Sequence, residues 1–176
     1  MKYIVSALVA VLAIAGFISP SEARLRLRGM SAETFAQKVA TSDQFEIQSS
    51  QLALQKSQKD DVKRFAQTMI DDHTKTSEKL KETLKQANLP EPNPQLDEEH
   101  QALLTKLNKV DGAAFDRAYA KDQLKGHQQA VRLLENYSKR GDNDALKKFA
   151  SDILPTIQHH LQMAQALNPR NVSARR

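Results

Sequence analysis

The chain has 176 residues, enough for one domain with a true core, and a formal charge of +5. It has no Cys, which excludes disulfides, thiolate metal sites, a thiol nucleophile and a lipid-modified N-terminal cysteine. Gly and aromatic residues are scarce while Ala, Leu, Lys and Gln abound, a balance that favours helix over sheet.

Residues 1–23 read as a secretory signal. Lys2 is the positive start, 4–18 is an apolar run short for a membrane span, and Pro20 ends it. Ser21-Glu22-Ala23 offers a small-x-small cleavage site. The competing reading is an uncleaved anchor, which would put Arg24, Arg26 and Arg28 on the translocated side, against the positive-inside tendency. The basic arm, 24–30, reads either as a tail or as attachment to an anionic surface through Arg24, Arg26 and Arg28 and two leucines. The basic C-terminal tail, 168–176, has the same two readings. Nucleic acid is excluded as a partner, because export removes the opportunity and no aromatic stacking set accompanies the arginines. Oligomeric state is open.

The first long helix is predicted from Ser31, an N-cap residue, to about Ser57. Phe35, Val39, Ser42, Phe45, Ile47, Leu52 and Leu54 supply its apolar surface, and Glu46 lies beside that stripe. Lys59-Asp60-Asp61 is a turn, with Asp60 or Asp61 capping the second helix, which runs to about Ala87. Here Val62, Phe65, Ala66, Met69, His73, Thr76, Leu80 and Leu84 recur at spacings of three and four and mark one face. His73 is the residue on that face that an ordinary core would not hold. Pro90, Pro92 and Pro94 then forbid a regular helix.

A short amphipathic helix is predicted over 96–109, with His100 at the surface, and Asp111-Gly112 breaks it. The third long helix, 113–139, turns Phe115, Tyr119, Leu124, His127, Val131, Leu134 and Tyr137 inward. The fourth, 144–167, carries Leu146, Phe149, Ile153, Ile157, His160, Met163 and Leu167 as its stripe, and Pro155 is expected to kink it. Of the neighbours His159 and His160, only one can face the core.

Asp61-Val62-Lys63-Arg64-Phe65-Ala66 matches Ala145-Leu146-Lys147-Lys148-Phe149-Ala150 at an offset of 84 residues. Each opens the second helix of a hairpin, so Phe65 and Phe149 should be equivalent core positions. Two similar hairpins joined by a long connection that holds a short helix predict an all-α, ferritin-like four-helix bundle over 31–167. The connection is long enough to cross a bundle's length.

Distances from the turns place several polar residues near one level. Glu46 stands thirteen residues before Lys59 and His73 fourteen after it, while His127 stands fourteen before Gly141. His160 falls about one turn away. Glu46, His73, His127 and His160 are therefore candidate ligands for a divalent transition metal such as Zn²⁺, Cu²⁺ or Fe²⁺. The other reading is a structural polar layer that fixes helix register without a ligand. Asp72, beside His73, is the candidate to orient its imidazole. Asp116 and Tyr119 could support the same layer, Asp116 alternatively serving the start of its helix. Ile70, Thr156 and Ile157 stand three residues before His73, His159 and His160, so no Glu-x-x-His exists there and a standard carboxylate-bridged di-iron centre is not expected. No Ser-His-Asp series, Gly-rich phosphate loop or nucleophile elbow is visible, and the chain reads as a non-enzyme.

Met69-Ile70-Asp71-Asp72-His73, then 112–119, His127 and Leu154-Pro155 followed by His159-His160-Leu161 resemble the bacterial ferritin-like family known as domain of unknown function 4142. The resemblance spans about 32–167. It implies a bacterial source, a ferritin-like bundle and an envelope location, in the periplasm or at the outer membrane, and it carries no established reaction. Two functions are expected from this sequence. One is a non-catalytic envelope bundle acting in stress tolerance or partner binding; the other is a metal-binding bundle.

Overall fold

The computed structural model describes residues 29–93 and 95–167. The signal segment, Arg24, Arg26 and Arg28 of the arm, Pro94 and the 168–176 tail lie outside the described residues. Among the described residues there are five helices and no strand: α1 (Ala32–Lys56), α2 (Asp60–Gln86), α3 (Glu98–Asn108), α4 (Gly112–Arg140) and α5 (Asp144–Leu167). The chain folds as a helical bundle.

The helix ends follow local chemistry. Ser31 caps α1, its hydroxyl accepting the Thr34 N–H at 3.2 Å. Asp60 and Asp61, the expected caps of α2, instead lie inside its first turn, and Lys59 holds the cap position without a side-chain bond. There the two carboxylates still complement the helix dipole. At the far end of α2, Asn88 takes a positive φ of 53°. The Leu89 N–H then reaches back to the Leu84 carbonyl at 2.9 Å, which satisfies an otherwise orphaned acceptor. Pro155 lies inside α5 without ending it.

α1 packs on α2, and α4 on α5, as two hairpins. α1 and α4 run antiparallel: Phe35 stacks on Tyr137 with centroids 3.8 Å apart at one end, and Ser50 bonds Tyr119 at 2.7 Å toward the other. α2 and α5 are likewise antiparallel, as Lys79–Asp152 and Asp72–His160 show, both at 3.1 Å. The connection after α2 starts beside the beginning of α1, where Gln37 exchanges two hydrogen bonds of 2.9 Å with the Asn93 backbone. It finishes beside the end of α1, where Lys56 donates to the Asn108 and Val110 carbonyls at 2.8 and 3.1 Å. It therefore crosses the length of the bundle, carrying α3 against α1 and α4.

Two apolar clusters fill the interior. One holds Phe35, Leu80, Leu84, Leu134, Tyr137 and Phe149; the other holds Phe45, Phe65, Met69, Leu107, Phe115 and Tyr119. Most buried polar residues of the long helices gather toward mid-helix, around and between the stretches that the two clusters use; Asp116, beside Phe115 in the second cluster, is the exception. The bundle thus has two largely apolar ends and a polar middle.

Candidate metal centre

The polar middle is built by helical phase. His73 follows Met69 on the buried face of α2, His127 follows Tyr119 and Gln123 at steps of four on α4, and His160 follows Ile153 and Ile157 on α5. All three imidazoles are buried. Their ring centroids form a near-equilateral triangle with sides of 5.7, 5.4 and 5.5 Å. His160 was expected about a turn from the other two, yet it joins them. Side chains lean toward the start of their own helix, so on antiparallel α4 and α5 His127 and His160 lean toward each other and close that offset.

Each ring is held by one nitrogen and leaves the other without a partner. His73 donates its Nδ1–H to Asp43 Oδ1 at 2.8 Å, His127 its Nδ1–H to the Gln123 carbonyl at 2.9 Å, and His160 its Nε2–H to Asp72 Oδ2 at 3.1 Å. The remaining nitrogens, His73 Nε2, His127 Nε2 and His160 Nδ1, have no hydrogen-bond partner. One ligand nitrogen from each residue lies within 4.8 Å of those of the other two. A buried polar group left unpaired costs about 1–3 kcal/mol, and this layer holds three such nitrogens. Zinc or copper bonded at about 2.0–2.1 Å would draw such a set inward and satisfy all three at once.

Electrostatics set the three rings apart. Burial alone would lower the His73 pKa, but its hydrogen bond to Asp43 and that carboxylate's charge raise it above the ordinary value. Asp43 is itself raised by burial, so the pair shares a proton. Burial, and then the charge on His73, push His127 down to about 3 and His160 down to about 4. Glu46 is pushed up to about 7 by burial. Asp72 is lowered: burial pushes it up, but hydrogen bonds from His160 and Lys75 outweigh that.

The remaining candidates fall in several places. Glu46 is at the right level but outside the converging set. Its Oε1 lies 4.0 Å from His127 Nδ1, the nitrogen already given to Gln123, and its Oε2 has no partner. It approaches from behind the ring because its carboxylate rests over Gly126, where an added Cβ would stand 3.1 Å from Oε1. Asp72 orients His160 rather than its neighbour His73, since adjacent residues on a helix point about 100° apart. The partner of His73 is Asp43, which a stripe drawn through Ser42 conceals; Val39, Asp43, Glu46 and Ser50 at steps of four, three and four would have revealed it. Asp116 and Tyr119 do not reach the triad. Asp116 faces Lys59 at 3.7 Å near the α1–α2 turn, and Tyr119 is bonded to Ser50. His100 packs its ring against Phe45 with centroids 5.3 Å apart and is held by Asp97 at 2.7 Å.

A family model described as domain of unknown function (DUF4142) matches residues 19–167. No curated protein matches the chain. Among solved structures, CopM in the Cu(II)-bound form is 22% identical with a TM-score of 0.65, covering 79% of this chain and 97% of that one. CopM in the Ag-bound form is 19% identical with a TM-score of 0.63, covering 78% and 94%. A DUF305 protein from Streptomyces coelicolor, described as secreted, is 15% identical with a TM-score of 0.65, covering 78% and 89%. At these identities the likeness shows the fold, a helical bundle. Among the described residues no helix is long and apolar enough to cross a membrane.

Proposed function

The chain belongs to the DUF4142 family, and from that premise we propose that this member is an exported, non-catalytic envelope protein that binds one transition-metal ion, copper foremost, through His73, His127 and His160. The observation that carries this is the convergence of three buried imidazoles, each offering a ring nitrogen within 4.8 Å of the others' and each with one nitrogen unpartnered while the other fixes the ring. A purely structural polar layer would pair those nitrogens with one another's N–H groups or with a carboxylate. Here the three N–H groups all point outward, to Asp43, Gln123 and Asp72, which is how metal-binding histidines are supported. An all-imidazole donor set suits copper or zinc better than a hard cation. The Cu(II)- and Ag-bound forms of CopM, a protein of similar fold, favour copper within that pair. The wiring of two hairpins and one long crossover is ferritin-like, without ferritin's Glu-x-x-His pairs. The signal segment read in the sequence supports export, and the likeness to a protein described as secreted agrees with it; the proposed place of work is the periplasm or the outer membrane. There Arg24, Arg26 and Arg28 would hold the bundle to an anionic surface.

The test is titration of chelator-treated mature protein with Cu²⁺ and, separately, Zn²⁺, read by bound stoichiometry and by thermal unfolding. One equivalent should bind, and free metal at about 100 times the Kd should add about 2.7 kcal/mol of stability. His73→Ala, His127→Ala and His160→Ala should each abolish that gain. No shift with either metal would make the layer structural, and an equal shift in all three variants would place binding elsewhere.

A further inference from the structure

Between α1 and α4, under α3, lies an open groove of about 1060 Å³ lined by Phe45, Asp97, His100, Asp122, Gly126 and, at its floor, Glu46. Glu46 is only 2% exposed, yet it forms part of this wall, and its Oε2 has no partner. Its other oxygen lies 4.0 Å from His127 Nδ1, the ring nitrogen that does not face the triad, so this carboxylate and the edge of the His127 ring stand between the groove and the three unpaired nitrogens. Gly126 is the second unusual feature. It stands in the middle of a 29-residue helix, where glycine is disfavoured relative to alanine. It is not among the residues of positive φ, so the backbone does not demand it. What it provides is space: an added Cβ would crowd Glu46 Oε1 at 3.1 Å, and any longer side chain would fill the opening beside the carboxylate.

We infer that this groove is the route by which the metal cation reaches the three imidazoles, with Glu46 as the carboxylate that takes it from water and Gly126 as the missing side chain that keeps the way open. The inference rests on the metal reading above. The groove does not repel a cation as a whole, since four acids and four lysines or arginines line it. Lys125 is moreover tied to Glu99 at 3.2 Å. The alternative way in, past Asp72 on the α2/α5 side, ends on a carboxylate already engaged by His160 and Lys75, each at 3.1 Å. Glu46 Oε2 makes no close hydrogen bond, the Gln123 side chain being the neighbour that opposes the effect of burial on this carboxyl, and it stands beside the triad without belonging to it, as a transfer group should.

The experiment follows Cu²⁺ loading of metal-free mature protein by stopped-flow tyrosine fluorescence, and release to a strong chelator, in the parent, Gly126→Leu and Glu46→Gln. A blocked entrance slows loading and release by the same factor and leaves Kd and the single-ion stoichiometry of Gly126→Leu unchanged. Roughly tenfold or more is expected, the factor that about 1.4 kcal/mol on a barrier gives. Glu46→Gln, which keeps the shape and removes the charge, should slow loading comparably, and it decides the matter alone if Gly126→Leu does not fold. Parental loading rates in the variants overturn the entrance while leaving the metal site standing. A change in the Kd of Gly126→Leu without a matched slowing also overturns it, because that marks a distorted site. A parent that takes up no metal overturns the metal reading and the entrance with it.

Discussion

In the α1/α2 hairpin, Val62, Phe65, Ala66, Met69, His73, Thr76 and Leu80 are buried; 84 residues further on, so are Leu146, Phe149, Ala150, Ile153, Ile157, His160 and Ala164. The offset extends to the first helix of each hairpin, where Phe35, Ala36, Val39, Asp43, Ser50 and Ala53 correspond to Tyr119, Ala120, Gln123, His127, Leu134 and Tyr137, all buried. The short sequence match at the start of α2 and α5 is thus the visible end of a repeat in burial. The chemistry does not repeat. Asp43 answers to His127, His73 to Ile157, and Thr76 to His160. Packing constrains only which positions face inward, and a helix fixes those by its period alone. The identity of an inward residue is free to differ wherever the opposite hairpin compensates. The bundle is therefore near-symmetric in what holds it together and asymmetric in the layer proposed to bind an ion. Neither hairpin owns the triad: His73 comes from one, His127 and His160 from the other.

The symmetric part is the easiest to break. Phe65 and Phe149 are each 2% exposed but belong to opposite apolar clusters, as two related hairpins packed antiparallel require. Truncation of either to Ala should cost about 3–5 kcal/mol, and the two losses should be alike, because each removes the same ring from an equivalent setting. Urea unfolding of the two variants measures this. A loss in one and none in the other would end the equivalence.

This contrast also explains how much of the molecule is legible in the sequence. The helices, their boundaries to within a residue or two, and the length of the crossover follow from periodicity, from Ser31 and from the proline run, all of which act locally. The inward direction of His73, His127 and His160 is legible for the same reason. Which carboxylate serves which imidazole is not, because it depends on the relative rotation of packed helices. Asp72 lies beside His73 in the chain and beside His160 in space, and Asp43 reaches His73 across the α1/α2 seam. Glu46 shares the triad's level but faces the groove side of His127, a difference of rotation that no count of residues from a turn contains. Asp116 and Tyr119 lie on the correct face of α4 at the wrong height, nearer the α1–α2 turn than the triad.

A smaller effect should come from the groups that hold the rings. Asp43→Asn keeps the shape at His73, but an amide can offer its own N–H to Nδ1 and move the ring proton to Nε2, where the metal would bind. Metal affinity should fall by about 10- to 100-fold, the usual cost of losing such a partner. Asp72→Asn should cost less, since that side chain is 30% exposed and water can replace part of its role. The corresponding bond of His127 goes to a backbone carbonyl of its own helix and has no side chain to remove. Competition titrations against a chelator of known affinity rank the variants. An Asp43→Asn protein with parental affinity would show that the first hairpin's carboxylate does not set the tautomer.

The smallest expected effect is also the sharpest test of the asymmetry, because the two hairpins titrate in opposite senses without metal. In the second hairpin, His127 and His160 fall to about 3 and about 4, below the ordinary histidine value of 6.5. The unfolded chain therefore takes up their protons first, and the stability they hold above pH 6.5 is lost as pH falls toward 4. In the first hairpin, Glu46 rises from 4.5 to about 7, so the folded chain takes up its proton first. Its contribution is fully present below pH 4.5 and is lost as pH rises through 7. His73, raised above 6.5, acts in the same sense as Glu46 but only at the upper edge of that range. Between pH 6.5 and 4.5 two imidazoles thus oppose Glu46 and, in the same hairpin, Asp43, whose carboxyl is also raised by burial. Each group that changes its proton count within the window contributes about 1.4 kcal/mol per pH unit in its own sense. Glu46→Gln removes one opposing group, so the stability of the metal-free variant should fall more steeply than the parent's by about that amount as pH drops, whereas His127→Leu should make it fall less steeply by the same amount. Urea unfolding in chelator at pH 6.5, 5.5 and 4.5 gives all three slopes. If Glu46→Gln steepens nothing, the carboxylate is already ionised beside the rings, and the division of charge between the hairpins is not the one drawn from burial.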